Sequence, residues 1–274
     1  MEIHIKTCLK QWTAELLGTF FLTFSILSAI SSSASSYVQI VWVHGFAIFN
    51  LGLIFGPISG GHFNPAVSFG MLISKWISRR PNEENFSILD FCGYSIFQLL
   101  GGILAGLVNF GLFKTPYYDQ TKFDDTNIWI GPLGNSNGDN SYVACFFFEV
   151  LGTALLVLSI KMTNCKRNDF VRKSRFNFFA VLMIAGMITY IGFMGILYYA
   201  GINPAREFGP RIAGAIFFGA DRAFTSYTWI PIVGPFVGAV GGVIGFEGIR
   251  RMYPGEITSK NVDGGHNRAV SEDA

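Results

Sequence analysis

Charge is scarce in this sequence. Of its 274 residues, 14% are Asp, Glu, Lys or Arg, where a soluble domain carries about 25%, so an ordinary water-exposed globular protein is excluded. Basic and acidic residues nearly cancel, 20 against 18, and no basic stripe with interleaved aromatics occurs, which argues against a nucleic-acid partner. Cysteine is rarer still. Cys8, Cys92, Cys145 and Cys165 form no CxxC pair and have no histidine cluster beside them, so no metal centre is expected and the four read as packing or tail residues. A nucleophile with its base, a phosphate-binding loop and a metal set are all missing, so neither catalytic residues nor a cofactor are expected and the chain does not read as an enzyme. The first apolar stretch has no A-x-A-like cleavage site and runs at full spanning length, so it reads as a retained anchor and not a signal peptide.

What is present is hydrophobic. Half of the residues are apolar, with 28 Phe and 32 Gly. A helix needs about 20 largely apolar residues to cross a bilayer, and six stretches meet that length: 12–30, 37–56, 91–113, 141–160, 176–198 and 229–249. Two more, 64–74 and 203–218, are too short or too interrupted to span and read as re-entrant half-helices. Each opens with Asn-Pro-Ala: the asparagine can cap the first turn, and proline at the first helical position gives up an N–H that has no intrahelical partner. The expected fold is an all-α membrane protein of six transmembrane helices and two half-helices. Residues 1–251 are expected to form a single transmembrane domain, and 252–274 a polar, disordered tail.

Basic residues in the connections set orientation. With the N-terminus cytoplasmic, fifteen fall on inner segments and only Lys114, Lys122 and Arg222 on outer ones, so both termini are expected in the cytoplasm. The Gly-, Asn- and Asp-rich connection 114–140 would cross the outer mouth. The Asn85-Phe86-Ser87 sequon falls on the inner side and should not be glycosylated. Ser174, among basic residues of an inner loop, reads as part of that loop before it reads as a phosphorylated gate. Glycines four apart, such as Gly52 and Gly56, Gly102 and Gly106, and Gly234, Gly238 and Gly242, should let helices approach closely.

The chain also repeats itself. Glu15-Leu16-Leu17-Gly18-Thr19 recurs as Glu149-Val150-Leu151-Gly152-Thr153, 134 residues on, and Asn-Pro-Ala recurs 139 residues on. The halves, about 12–113 and 141–251, hold three spans each. Three is odd, so the second half enters the membrane from the opposite side and the repeat is inverted. The half-helices then dip in from opposite faces and aim their positive N-termini at one point, a barrier to cations. The amides of Asn64 and Asn203 can donate there to a passing water, which so held cannot relay a proton.

Ser59-Gly60-Gly61-His62-Phe63-Asn64-Pro65-Ala66-Val67 and Gly201-Ile202-Asn203-Pro204-Ala205-Arg206, with Glu15, Glu149 and Gly234-Pro235-Phe236, resemble the aquaporin, or major intrinsic protein, family over residues 12–251. The resemblance implies a pore at Asn64, Pro65, Ala66, Asn203, Pro204 and Ala205, with a narrower constriction on its outer side. Ungapped counting from the asparagines puts His44, Ile191, Ala200 and Arg206 at that constriction, a set similar to vacuolar-membrane members of the family and their ammonia-permeable relatives. Glu207, Arg211, Pro231 and Ile232 are similar instead to the glycerol-conducting branch, with Glu207 standing where that branch has aspartate. Glu15 and Glu149 match carboxylates that buttress the family's loops. The resemblance further implies a homotetramer that conducts water and small neutral solutes, in the plasma membrane or a vacuolar or vesicle membrane.

Each residue has a plainer reading. Asn64 and Asn203 can be helix caps and nothing more, His44 a satisfied histidine between helices, and Glu207 with Arg211 an intrahelical ion pair. Arg206 has none, since a charge in a membrane persists where it faces a water-filled cavity. Two rivals stay open: a secondary transporter, which shares inverted repeats but ordinarily needs more spans and ionisable coupling groups, and a structural or adhesive protein of the same fold with an occluded pore.

Overall fold

The computed structural model describes residues 2–31, 36–78, 86–113, 142–164, 178–196 and 200–252. The connection 114–140, Ser174, Asn85, Cys165 and the tail from 253 lie outside the described residues. Among the described residues there is helix and connecting turn, and no strand. The elements are α1 (Glu2–Ser31), α2 (Tyr37–Ser59), α3 (Pro65–Ser78), α4 (Ile88–Leu112), α5 (Tyr142–Thr163), α6 (Phe178–Phe193), α7 (Pro204–Phe218), the single turn α8 (Ala220–Ala223) and α9 (Ile230–Met252).

Local chemistry sets the ends. Ser36 accepts the Gln39 N–H at the start of α2, and Gly60, in the left-handed region at φ 89°, closes that helix by donating to Gly56 O at 2.8 Å. The helix therefore runs three residues past the expected end, carrying Pro57 in its last turn. Ser87 and Asp90 form a reciprocal capping box on α4, which satisfies two N-terminal donors at once. α3 and α7 begin at the prolines of the two Asn-Pro-Ala elements.

Among the described residues, five helices are long and apolar enough to cross a membrane: Thr7–Ser31 within α1, α2, α4, α5 and α9. The sixth, α6, is apolar but has 16 described residues, about 24 Å at 1.5 Å per residue against a core of about 30 Å. Its end is earlier than the expected 198 because Gly195 turns left-handed at φ 80° and donates to Gly192 O at 2.8 Å, while Met194 donates to Tyr190 O at 2.9 Å.

Packing follows the repeat. α1 packs on α4 as α5 packs on α9; α1 meets α2 as α5 meets α6; α4 meets α7 as α9 meets α3; and α2 meets α6 across the centre. The bundle is apolar outside and encloses its polar groups within an otherwise apolar core. Trp42, Phe46, Ile54, Ile96, Phe147 and Ile216 face outward, whereas Glu15, Gln98, Asn109, Glu149 and Arg206 are buried. That is the arrangement lipid demands, since hydrocarbon cannot satisfy a polar group.

Glycine permits the closest approaches. A Cβ on Gly102 would lie 2.3 Å from Ala205 O on α7, and one on Gly238 would lie 2.4 Å from Val150 O on α5. Gly106, Gly234 and Gly242 are similarly crowded, and Gly52 faces Val181. Gly56 departs from the expectation: no described residue stands within 4 Å of a Cβ there, so its spacing from Gly52 marks no helix contact among the described residues. The contrast predicts that Gly102→Ala separates α4 from α7 and destabilises the protein by about 1–3 kcal/mol, the usual cost of overpacking. Gly56→Ala should be neutral or slightly stabilising; thermal unfolding in detergent distinguishes the two.

Candidate functional site

Between α2 and α3, and again before α7, the chain is not helical, and its amides need acceptors inside the protein. Glu15, on α1 and fully buried, supplies them in the first half. Its Oε1 accepts the His62 N–H at 3.0 Å and the Ser59 hydroxyl at 2.6 Å. Its Oε2 accepts the Phe63 N–H at 2.6 Å and Gln98 Nε2 at 2.7 Å. Glu149, equally buried on α5, accepts Gly201 N–H on Oε1 and Ile202 N–H on Oε2, both at 2.8 Å. Each carboxylate is thus matched to backbone donors, which compensates the desolvation that makes an unpaired one expensive.

These anchors hold an unusual turn. Phe63 and Ile202 sit at φ 47° and 49°, a left-handed conformation that costs a residue other than glycine about 1–3 kcal/mol. It occurs at the residue preceding the asparagine in each half. There it points each carbonyl across the molecule: Phe63 O accepts Asn203 Nδ2 and Ile202 O accepts Asn64 Nδ2, both at 2.8 Å.

The same amides cap their own helices. Asn64 Oδ1 accepts Ala66 N–H at 2.9 Å, and Asn203 Oδ1 accepts Ala205 N–H at 3.1 Å and Arg206 N–H at 3.2 Å. With oxygen as acceptor and nitrogen as donor on both sides, each amide is held in one orientation. One of its two N–H bonds is taken by the opposite carbonyl; the other is left to donate elsewhere. The positive N-termini of α3 and α7 therefore meet. Pro65 and Pro204, the first residues of those helices, have no N–H to satisfy, and Ala66 and Ala205 lie buried behind them.

Arg206, 4% exposed, donates from Nη1 to Glu207 Oε2 at 3.0 Å. The other oxygen of Glu207 accepts Arg211 Nη2 at 3.0 Å, and Arg211 Nη1 donates to Ala223 O at 2.9 Å. The expected pair of Glu207 with Arg211 is therefore one arm of a bridge that also reaches Arg206. Ile191 and Ala200 are wholly buried in one apolar cluster with Ile188, Ile196 and Ile202. His44 is buried on α2. Pro231 is buried and Ile232 half-buried in the first turn of α9, outside this hydrogen-bonded network.

Several partners were not anticipated from sequence. Gln98 links Glu15 to Ser68 Oγ, at 3.1 Å, and His62 Nδ1 lies 3.0 Å from the same hydroxyl. Tyr94 donates to Ser59 O at 2.6 Å. A lone glutamine in the apolar stretch 91–113 was the available signal. Nothing in the sequence announces the left-handed Phe63 and Ile202, because neither residue type favours that conformation.

An inverted helical repeat with an apolar exterior, polar groups buried within and two half-helices joined tip to tip defines a multi-pass transmembrane channel. The sequence pattern of the major intrinsic protein family matches residues 2–246, and the chain belongs to that family, whose members are passive channels and not enzymes. It is 31% identical over 248 residues to glycerol uptake facilitator protein 3 of Lactiplantibacillus plantarum, covering 86% of this chain and 95% of that one. It is 30% identical over 248 residues to aquaporin-5 of Ovis aries, covering 89% and 82%. The aquaglyceroporin structure from Plasmodium falciparum superposes with a TM-score of 0.72 at 24% identity, covering 90% of this chain and 98% of that one.

Glu149→Gln turns an amide donor toward one of the two backbone N–H groups that the carboxylate accepts. The expected outcome is a loss of about 1–3 kcal/mol of stability, the cost of a buried unsatisfied donor, together with reduced conductance. Detergent melting and liposome flux measured on the same preparation check both.

Proposed function

We propose that the channel conducts water and small uncharged solutes such as glycerol, urea, ammonia and peroxide, and that it excludes protons and ions. The observation that carries this reading is the crossed pair of hydrogen bonds between Asn64 and Ile202 and between Asn203 and Phe63. Two helix N-termini fixed against each other concentrate positive potential at one place. A cation meets that potential and is repelled; a water turns its oxygen toward it and accepts from the free asparagine hydrogens. A water that accepts there points both of its hydrogens away, so the hydrogen-bonded chain needed to hand on a proton is interrupted.

Toward the outside, His44, Ile191, Ala200 and Arg206 form the selectivity filter. Arg206 supplies donors to a permeating oxygen and a second repulsion for hydronium, while Ile191 and Ala200 give an apolar wall that lets carbon-bearing solutes pass. Glu207, Arg211, Pro231 and Ile232 incline the solute range toward small polyols. That matches relatives named both as a glycerol uptake facilitator and as an aquaporin. Glu15, held by backbone and side-chain donors, and Glu149, held by two backbone donors, are each committed to the loops and not to ion coupling, which argues against a secondary transporter. Residues 1–251 act as one domain. Both termini face the cytoplasm, the protein is a homotetramer with a pore in each subunit, and it resides in the plasma membrane or a vacuolar or vesicle membrane.

Stopped-flow light scattering tests the reading in proteoliposomes challenged with sucrose, glycerol and urea, alongside a trapped pH dye. Water flux above that of empty liposomes, measurable glycerol flux and no proton leak are expected. Proton leak that keeps pace with water flux, or no water flux from folded protein, overturns it.

A further inference from the structure

α6 ends inside an apolar stretch, 176–198, that contains neither proline nor charge. Gly195 makes the turn possible but does not compel it, since glycine is common in membrane helices and both Gly186 and Gly192 lie within α6 without ending it. The carbonyl of Gly192 decides the matter. In a continuous helix it would accept the Ile196 N–H, four residues on. Here it accepts the Gly195 N–H at 2.8 Å and the Tyr37 hydroxyl at 2.6 Å. A carbonyl oxygen has two lone pairs, and both are taken. The Ile196 N–H is denied its helical acceptor, and α6 stops.

Tyr37 is held in place to do this. It is the first residue of α2, where the Ser36 side chain accepts the Gln39 N–H. Tyr37, Val41 and His44 are spaced to lie on one face of that helix. One turn along from Tyr37, Val41 meets Gly192 so closely that a Cβ there would lie 2.6 Å from Val41 Cγ1, and Trp42 meets Phe193 edge to face at 5.7 Å. Beyond the turn, Ile196 is buried in one cluster with Ile191, Ala200 and Ile202, and its carbonyl accepts the Ala200 N–H at 2.9 Å. A path of contacts therefore runs from the Tyr37 hydroxyl through Gly192 and Ile196 to Ala200.

We infer that Tyr37 is a positioning residue for solute size: by filling the last acceptor position on Gly192 it ends α6, and so sets how far Ile191 and Ala200 stand from α2. The inference rests on the proposed filter that contains Ile191 and Ala200. Without the hydroxyl, Gly192 O is open to the Ile196 N–H, α6 can lengthen, and the apolar wall is no longer held at one distance. A wall that shifts restricts a wide solute less than a fixed one does. Water, already narrow, gains least.

The test compares glycerol and water permeabilities in proteoliposomes for the native protein, Tyr37→Phe and Tyr190→Phe, the last removing the hydroxyl of an outward-facing tyrosine on α6. A role in stability alone lowers the fraction of working channels and scales both fluxes together, so their ratio does not move. Tyr37→Phe should raise the glycerol-to-water ratio about two- to tenfold, the change in population that one hydrogen bond governs; Tyr190→Phe should leave it unchanged. If Tyr37→Phe does not assemble, as judged by size exclusion in detergent, Ser36→Ala, which only loosens the turn that carries Tyr37, is expected to raise the ratio in its place. An unchanged or lowered ratio, or an equal rise with Tyr190→Phe, overturns the inference while leaving the channel reading intact. If the native protein passes water but no glycerol, Tyr37→Phe must open it to glycerol, and failure to do so has the same meaning. A native protein that passes no water overturns both.

Discussion

Two side-chain amides, each donating to a backbone carbonyl in the opposite half of the chain, constrain nearly everything else in this molecule. The bonds between Asn64 and Ile202 and between Asn203 and Phe63 form only if both carbonyls are turned inward, which requires the left-handed backbone at Phe63 and Ile202. That backbone is held only because Glu15 and Glu149 accept its amides. The glutamates reach it only because α1 and α5 pack tightly on their partners, with glycines at the crossings. A failure at any level leaves a polar group unsatisfied where no bulk water can repair it.

The symmetry of this frame is not matched by symmetry of chemistry. Three residues after Asn203 stands Arg206; three residues after Asn64 stands Val67, buried and apolar. Glu15 gathers two amides, a serine and a glutamine, whereas Glu149 holds two amides. Duplicated architecture thus fixes the meeting point of α3 and α7, while unequal side chains give the channel two different ends.

Much of this was legible in the sequence, for physical reasons. The span lengths follow from the bilayer, and the prolines of the Asn-Pro-Ala elements mark the first residues of α3 and α7 because a helix start tolerates a missing N–H. The repeat of Glu15 as Glu149 pointed to matched buried carboxylates. What could not be read depends on contacts distant in the chain or on single dihedral angles. The early end of α6 turns on Gly195, the extension of α2 on a cap at Gly60, and the second partner of Glu207 on side-chain reach that helical spacing disguises. Gly56 shows the converse: the right spacing with no described residue where its Cβ would point.

The crossed amides also have a bearing on the order of events at the ribosome. The acceptor for Asn64 lies 138 residues downstream and the acceptor that receives Asn203 lies 140 residues upstream of it. At some five to twenty residues per second of translation, α3 must wait about 7 to 28 s in the nascent chain before its final partner exists. The first half is therefore born incomplete, and maturation of the pore is an event of late synthesis.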